Sequence, residues 1–153
     1  MWNQYFLIIT IMLSNIICSG QHEGDFQFGV ISVKERQLNH WSKDSSANAI
    51  VLNEYGSGAL EYDEKFEVKY YHHVRIKILN RQGFNEGNCV IQIYKPSWQT
   101  ELLPDLKAYT YHIEGDQVKQ YKVEKSAIFS EKTSDDFYNI KFTFPNIKEG
   151  SIY

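Results

Sequence analysis

The feature that most constrains this chain is the alternation from Phe66 to Leu79. Phe66, Val68, Tyr70, His72, Val74, Ile76 and Ile78 fall on one side of an extended backbone. Glu67, Lys69, Tyr71, His73, Arg75 and Lys77 fall on the other. A period of two belongs to a β-strand; a helix would scatter both sets around its axis. One apolar and one charged face predict a strand of an antiparallel sheet, with the apolar side against a core. His72 is expected in that core, hydrogen-bonded, and His73 on the solvated face.

Turn chemistry divides the rest of the chain. Phe26 to Val30 is predicted as a first short strand. Ser32 stands three residues before Glu35, the spacing of a capping box, so a short helix is expected over Val33 to Leu38, with Val33 and Leu38 inward. Ala49 to Tyr55 and Ala59 to Tyr62 read as strands around a Gly56-Ser57-Gly58 turn. Cys89 to Tyr94 is a further strand. Leu106 to Ile113 and Gln117 to Val123 flank Glu114-Gly115-Asp116, a hairpin whose glycine supplies positive φ. Ser126 to Phe129 fits one helical turn. Tyr138, Ile140, Phe142 and Phe144 alternate with polar residues in a last full strand. The expected fold is all-β: an antiparallel β-sandwich of about eight strands with one or two short helical turns.

At 153 residues the chain accommodates one ordinary domain. Lys plus Arg is 16 against 19 for Asp plus Glu, giving a net charge of −3. That excludes a basic protein built to neutralise a phosphate backbone, so no nucleic-acid partner is expected. Two cysteines allow at most one disulfide and no four-cysteine zinc site.

Residues 1–20 carry no Asp, Glu, Lys or Arg. An apolar run from Phe6 to Leu13, extended by Ile16 and Ile17, ends at the small residues Cys18, Ser19 and Gly20. This is the pattern of a secretory signal, although the basic residue usual before the run is missing. The run is short and interrupted for a span of ~30 Å of hydrocarbon. The expected organisation is a signal peptide over 1–20 and an all-β domain over 21–153. The product would be exported to a periplasmic or extracellular location, with membrane association left open. Gly150-Ser151-Ile152-Tyr153 enters a new strand after a turn, so the last strand is expected to be incomplete. It is predicted to pair antiparallel with Tyr138 to Phe144.

No catalytic constellation appears. Cys89 lies in an apolar strand with no nucleophile motif around it and reads as a core residue. His72 and His73 are adjacent and point to opposite faces, and His22, His40 and His112 have no metal-ligand spacing, so no metal site is expected. No cofactor motif is present. Trp98, Tyr94 and Trp41 lie in or beside loops and are the candidates for a stacking platform that binds a sugar or peptide.

Four segments together resemble a known family: Asp44-Ser45-Ser46-Ala47-Asn48-Ala49-Ile50-Val51-Leu52, His73-Val74-Arg75-Ile76-Lys77-Ile78-Leu79, Asp105-Leu106-Lys107-Ala108-Tyr109-Thr110-Tyr111, and Phe142-Thr143-Phe144-Pro145-Asn146-Ile147-Lys148-Glu149-Gly150-Ser151. In order and spacing they are similar to the uncharacterised domain at the N-terminus of exported bacterial transglutaminase-like proteins. The resemblance runs from about Phe26 to the last residue. It implies an all-β accessory domain whose partner is a downstream transglutaminase-like core in a longer parent protein. That core carries the family's Cys-His-Asp set, which has no counterpart here, so the chain is expected not to be an enzyme. It would position the core, or bind an extracytoplasmic protein or glycan. Two alternatives stand beside this: a stand-alone glycan- or peptide-binding module, and an inactive fragment of a thiol-dependent acyltransferase or peptidase.

Overall fold

A computed structural model describes residues 27–97, 101–103, 105–115 and 117–153. The expected signal segment, Phe26, Trp98 and Asp116 lie outside the described residues. By backbone contacts the chain divides into residues 1–30 and 31–153. Residues 27–30 make a turn, with Gly29 at φ 82° and the Val30 N–H on the Gln27 carbonyl, where a strand was expected.

Among its described residues the second unit holds a short helix, α1 (Val33–Gln37), and seven strands: β1 (Ala49–Asp63), β2 (Lys65–Ile78), β3 (Asn88–Tyr94), β4 (Tyr109–Glu114), β5 (Gln117–Lys122), β6 (Phe129–Lys132) and β7 (Phe137–Thr143). Every pairing is antiparallel. The all-β reading therefore holds. Both parts of the capping box are present on α1: Glu35 N–H donates to Ser32 Oγ and Ser32 N–H to Glu35 Oε2. Val33, expected inward, is exposed, and Leu38 is half-buried. A 3₁₀ helix of two turns covers Arg81–Gly87 and a single 3₁₀ turn covers Lys125–Ala127.

Pairs β1–β2 and β4–β5 become one sheet through the last three residues. Ile152 bridges Lys77 on one side and Tyr111 on the other. Ile76 exchanges both backbone hydrogen bonds with Tyr153, and Tyr111 exchanges both with Ile152. The expected pairing of this segment with Tyr138 to Phe144 does not occur. Strand β7 already has β3 on one edge and β6 on the other. The turn over 145–150, with Asn146 at φ 55° and Gly150 at φ 79°, carries the chain to the other sheet instead.

The β3–β7–β6 sheet packs on one face of the first sheet. Ala108, Val123 and Phe142 form a buried cluster there, with Cys89 and Ile91 against it, and Phe144 lies 4.3 Å from the ring of Tyr153. Ile31 covers the opposite face in a cluster with Tyr111 and Ile152. Strand β2 is thus buried on both sides at its end, and this corrects the expectation for its charged face. Arg75 and Lys77 are among the most buried polar residues. Arg75 Nη1 bonds Glu35 Oε1 at 2.8 Å, and Lys77 Nζ donates to the Glu35 and Arg36 carbonyls of α1, each at 2.8 Å. The ammonium satisfies carbonyl groups that a helix end leaves without intrahelical partners.

Candidate functional site

The first half of β2 has the reverse environment. Phe66, Val68 and Tyr70, expected in the core, are 72%, 76% and 70% exposed. They belong to an arm in which β1 and β2 pair with each other and leave the core behind. The pairing is unbroken from Asn53↔Arg75 to Asp63↔Lys65, through Gly56↔His72 and Gly58↔Tyr70. Gly56-Ser57-Gly58 is therefore strand, and the turn sits at Glu64, at φ 61°. At about 3.4 Å per residue the paired stretch from Asn53 to Asp63 is about 34 Å long.

Directly paired residues share a face, which separates the arm's two sides. One side carries Leu60↔Val68, Tyr62↔Phe66 and Gly58↔Tyr70. The Tyr62 and Phe66 rings lie 5.0 Å apart, tilted by 56°. The Tyr70 ring lies across the glycines: a Cβ built on Gly56 would come within 2.7 Å of its Oη. These glycines make room for a side chain rather than for a bend. The apolar row ends at His72, whose Nε2 is 2.9 Å from Glu54 Oε1. His72 is thus an exposed, paired residue and not a core one.

The other side is charged and self-satisfied. Lys69 meets Glu61 at 2.5 Å and Lys65 meets Glu67 at 2.9 Å. The hydrogen bond to Glu61 holds Lys69 above its ordinary pKa, and that from Lys65 holds Glu67 below its own. Such exposed pairs contribute little stability. A two-stranded ribbon alone is marginal in water, so the apolar side has reason to be covered.

The other candidate residues do not gather into a site. Trp41 is half-buried in the loop after α1, with Lys43 Nζ 5.6 Å from its ring centre. Tyr94 ends β3, its ring tilted against that of Phe137 at 5.1 Å and its backbone held by Glu101. Trp98, the third member of the expected platform, is outside the described residues. Cys89 is half-buried beside Phe142, and burial pushes its thiol up, away from the reactive thiolate. His112 was not singled out in the sequence. It is buried, and its Nε2 lies 2.6 Å from the Asn146 carbonyl, pinning the 145–150 turn to β4. A cleft of about 290 Å³ beside Leu38 and Gly150 includes Lys77 and Glu149. The first is engaged with α1 and the second is 3.7 Å from Arg81. Among the described residues no group of three His, Cys, Asp or Glu could hold a metal, and no helix is long and apolar enough to cross a membrane.

Compared with protein-family models, curated proteins and solved structures, the chain has no match. The arm's uncovered apolar face is the feature that carries the functional reading.

Proposed function

We propose that this chain is an exported, non-catalytic β-module that accompanies a transglutaminase-like core and works by docking a partner protein on the β1–β2 arm. The observation that carries this reading is the face formed by Leu60, Tyr62, Phe66, Val68 and Tyr70, each 66–76% exposed. Contiguous apolar surface of several hundred Å² on a protein marks an interaction site. Aromatic side chains are the residues that dominate such contacts. The four-segment resemblance supplies the kind of parent protein, and the uncharged segment over 1–20 supplies the compartment.

A protein surface suits the arm better than a sugar or a lipid. The Tyr62 and Phe66 rings are tilted by 56° and offer no continuous flat platform. Near the tip Glu61, Asp63, Glu64 and Glu67 outnumber Lys65 and Lys69, and the charged groups oppose entry into a membrane.

The test is a photo-crosslinking amino acid placed at Val68 in the full chain, expressed in its own cells, with Lys107 as a control position. Conjugates formed from position 68 alone, and identified by mass spectrometry as extracytoplasmic polypeptides with a transglutaminase-like sequence or as this chain itself, support the reading. Equal labelling from both positions, or products confined to glycan or lipid, defeat it.

A further inference from the structure

We infer that the partner seated on the arm is a second copy of this chain, whose arm packs face to face and antiparallel on the first. This rests on the arm being a docking surface and names its occupant.

Three properties of the face point to self-association. It holds no formal charge between the Gly58↔Tyr70 and Tyr62↔Phe66 pairs, so laying it on itself opposes no like charges. The charged groups that border it satisfy one another: His72 and Glu54 beyond Tyr70 on the same side, and the lysine–glutamate pairs on the reverse side. A charged partner would be stripped of water against this face with no opposite charge to meet it, only the Tyr62 and Tyr70 hydroxyls.

The area is the second property. Aromatic side chains bury roughly 150–250 Å² each, so three largely exposed rings with Leu60 and Val68 offer roughly 600 Å² per copy. Two copies would bury about 1,200 Å², the lower end of the range for specific interfaces.

Symmetry is the third. The apolar pairs are centred on Leu60↔Val68. A two-fold axis through that pair stacks it on its own copy and sets Tyr62 and Phe66 of each arm against Tyr70 of the other. Tyr70 reaches across Gly58 and Gly56, which places its ring opposite the aromatic pair of the other copy, where tilted ring contacts are favourable. The antiparallel arrangement also keeps the acidic tips at opposite ends. Residue i then meets residue j and j meets i, as a closed two-fold interface requires.

Sedimentation equilibrium of the full chain tests the proposal. The expected result is a monomer–dimer equilibrium that Val68→Asp and Leu60→Asp each weaken by at least tenfold. Both positions are exposed, so the fold should persist, which circular dichroism checks. Under mild oxidation Val68→Cys should give a covalent dimer in excess of the wild-type chain, and Lys69→Cys, on the reverse face, should not. A chain that stays monomeric overturns the proposal, as does a dimer indifferent to both aspartates or trapped equally from positions 68 and 69. If the chain is monomeric while position 68 still conjugates a transglutaminase-like polypeptide, only the second copy is wrong and the docking reading survives. If position 68 yields no selective product of any kind, both fail.

Discussion

Arg75 Nη1 lies 2.8 Å from Glu35 Oε1, and the two side chains are only 4% and 17% exposed. Glu35 uses its other oxygen to close the capping box with Ser32. One carboxylate thus sets the start of α1 and fastens the helix onto β2. Removing one partner of a shielded pair leaves a charge without compensation. Arg75→Met should lower stability by about 3 kcal/mol, with Glu35→Gln somewhat milder because it keeps an amide in place. The double variant should cost less than the two singles together. Urea denaturation measures all three; single variants within about 0.5 kcal/mol of wild type would mean the pair is incidental.

The same carboxylate sets an acid limit. Burial tends to raise Glu35, but hydrogen bonds from Arg75 and Ser32 outweigh it, and its folded pKa lies below the ordinary value. A carboxyl lowered in the folded state contributes stability that is complete above its unfolded pKa, about 4.3. That contribution is lost as pH falls through the folded value. Wild type should therefore lose melting temperature more steeply than Glu35→Gln below about pH 4.3. Parallel melting curves against pH would contradict this.

Alternation made the strand over 65–78 legible, because side-chain direction is local. It did not reveal which face is covered, because the cover comes from elsewhere. Glu35 reaches Arg75 across 40 residues of chain. Hence the charged face proved buried at Arg75 and Lys77, and the apolar face bare at Phe66, Val68 and Tyr70. The hairpin at Gly115 was readable, since φ 62° there is what a tight turn asks of glycine. Gly56 and Gly58 misled for the converse reason: their requirement is a cross-strand Tyr70 ring, which chain order does not display. Ser151–Tyr153 was readable as a strand but not its neighbours, since three residues carry too little pattern to select a partner. The arm as a site could have been suspected from four acidic residues, Glu61, Asp63, Glu64 and Glu67, interleaved with five large apolar ones, but only if the strand break at Gly56 had not been assumed.

Gly83 makes a closer demand than any turn glycine. A Cβ there would lie 2.3 Å from the Asn48 carbonyl oxygen and 2.9 Å from its carbon. That carbonyl accepts from the Leu79 and Asn80 N–H groups, joining the end of β2 to the start of β1. Backbone cannot swing aside as a side-chain tip can. Gly83→Ala should therefore cost about 2 kcal/mol or more, whereas Gly115→Ala, with open space but positive φ, should cost about 1–2 kcal/mol. Thermal unfolding of both variants gives the order; Gly83→Ala as benign as a surface substitution would show that the 3₁₀ turn shifts freely.

Ile152 is fully buried between β2 and β4 and packs with Ile31 and Tyr111. Its backbone holds the two hairpins in one sheet, and its side chain fills the cluster on the α1 side. Ile152→Ala keeps the backbone hydrogen bonds and removes only the filling, so it isolates the packing contribution. Truncating a buried isoleucine costs about 2–5 kcal/mol, depending on how far the site collapses. The loss should be cooperative, with both hairpins melting together, because the joint between them is weakened rather than either hairpin itself. Hydrogen exchange on β1–β2 and β4–β5 amides distinguishes the cases. Accelerated exchange in both pairs is the expected outcome, and exchange confined to β4–β5 would mean that Ile152 serves one hairpin and not the joint.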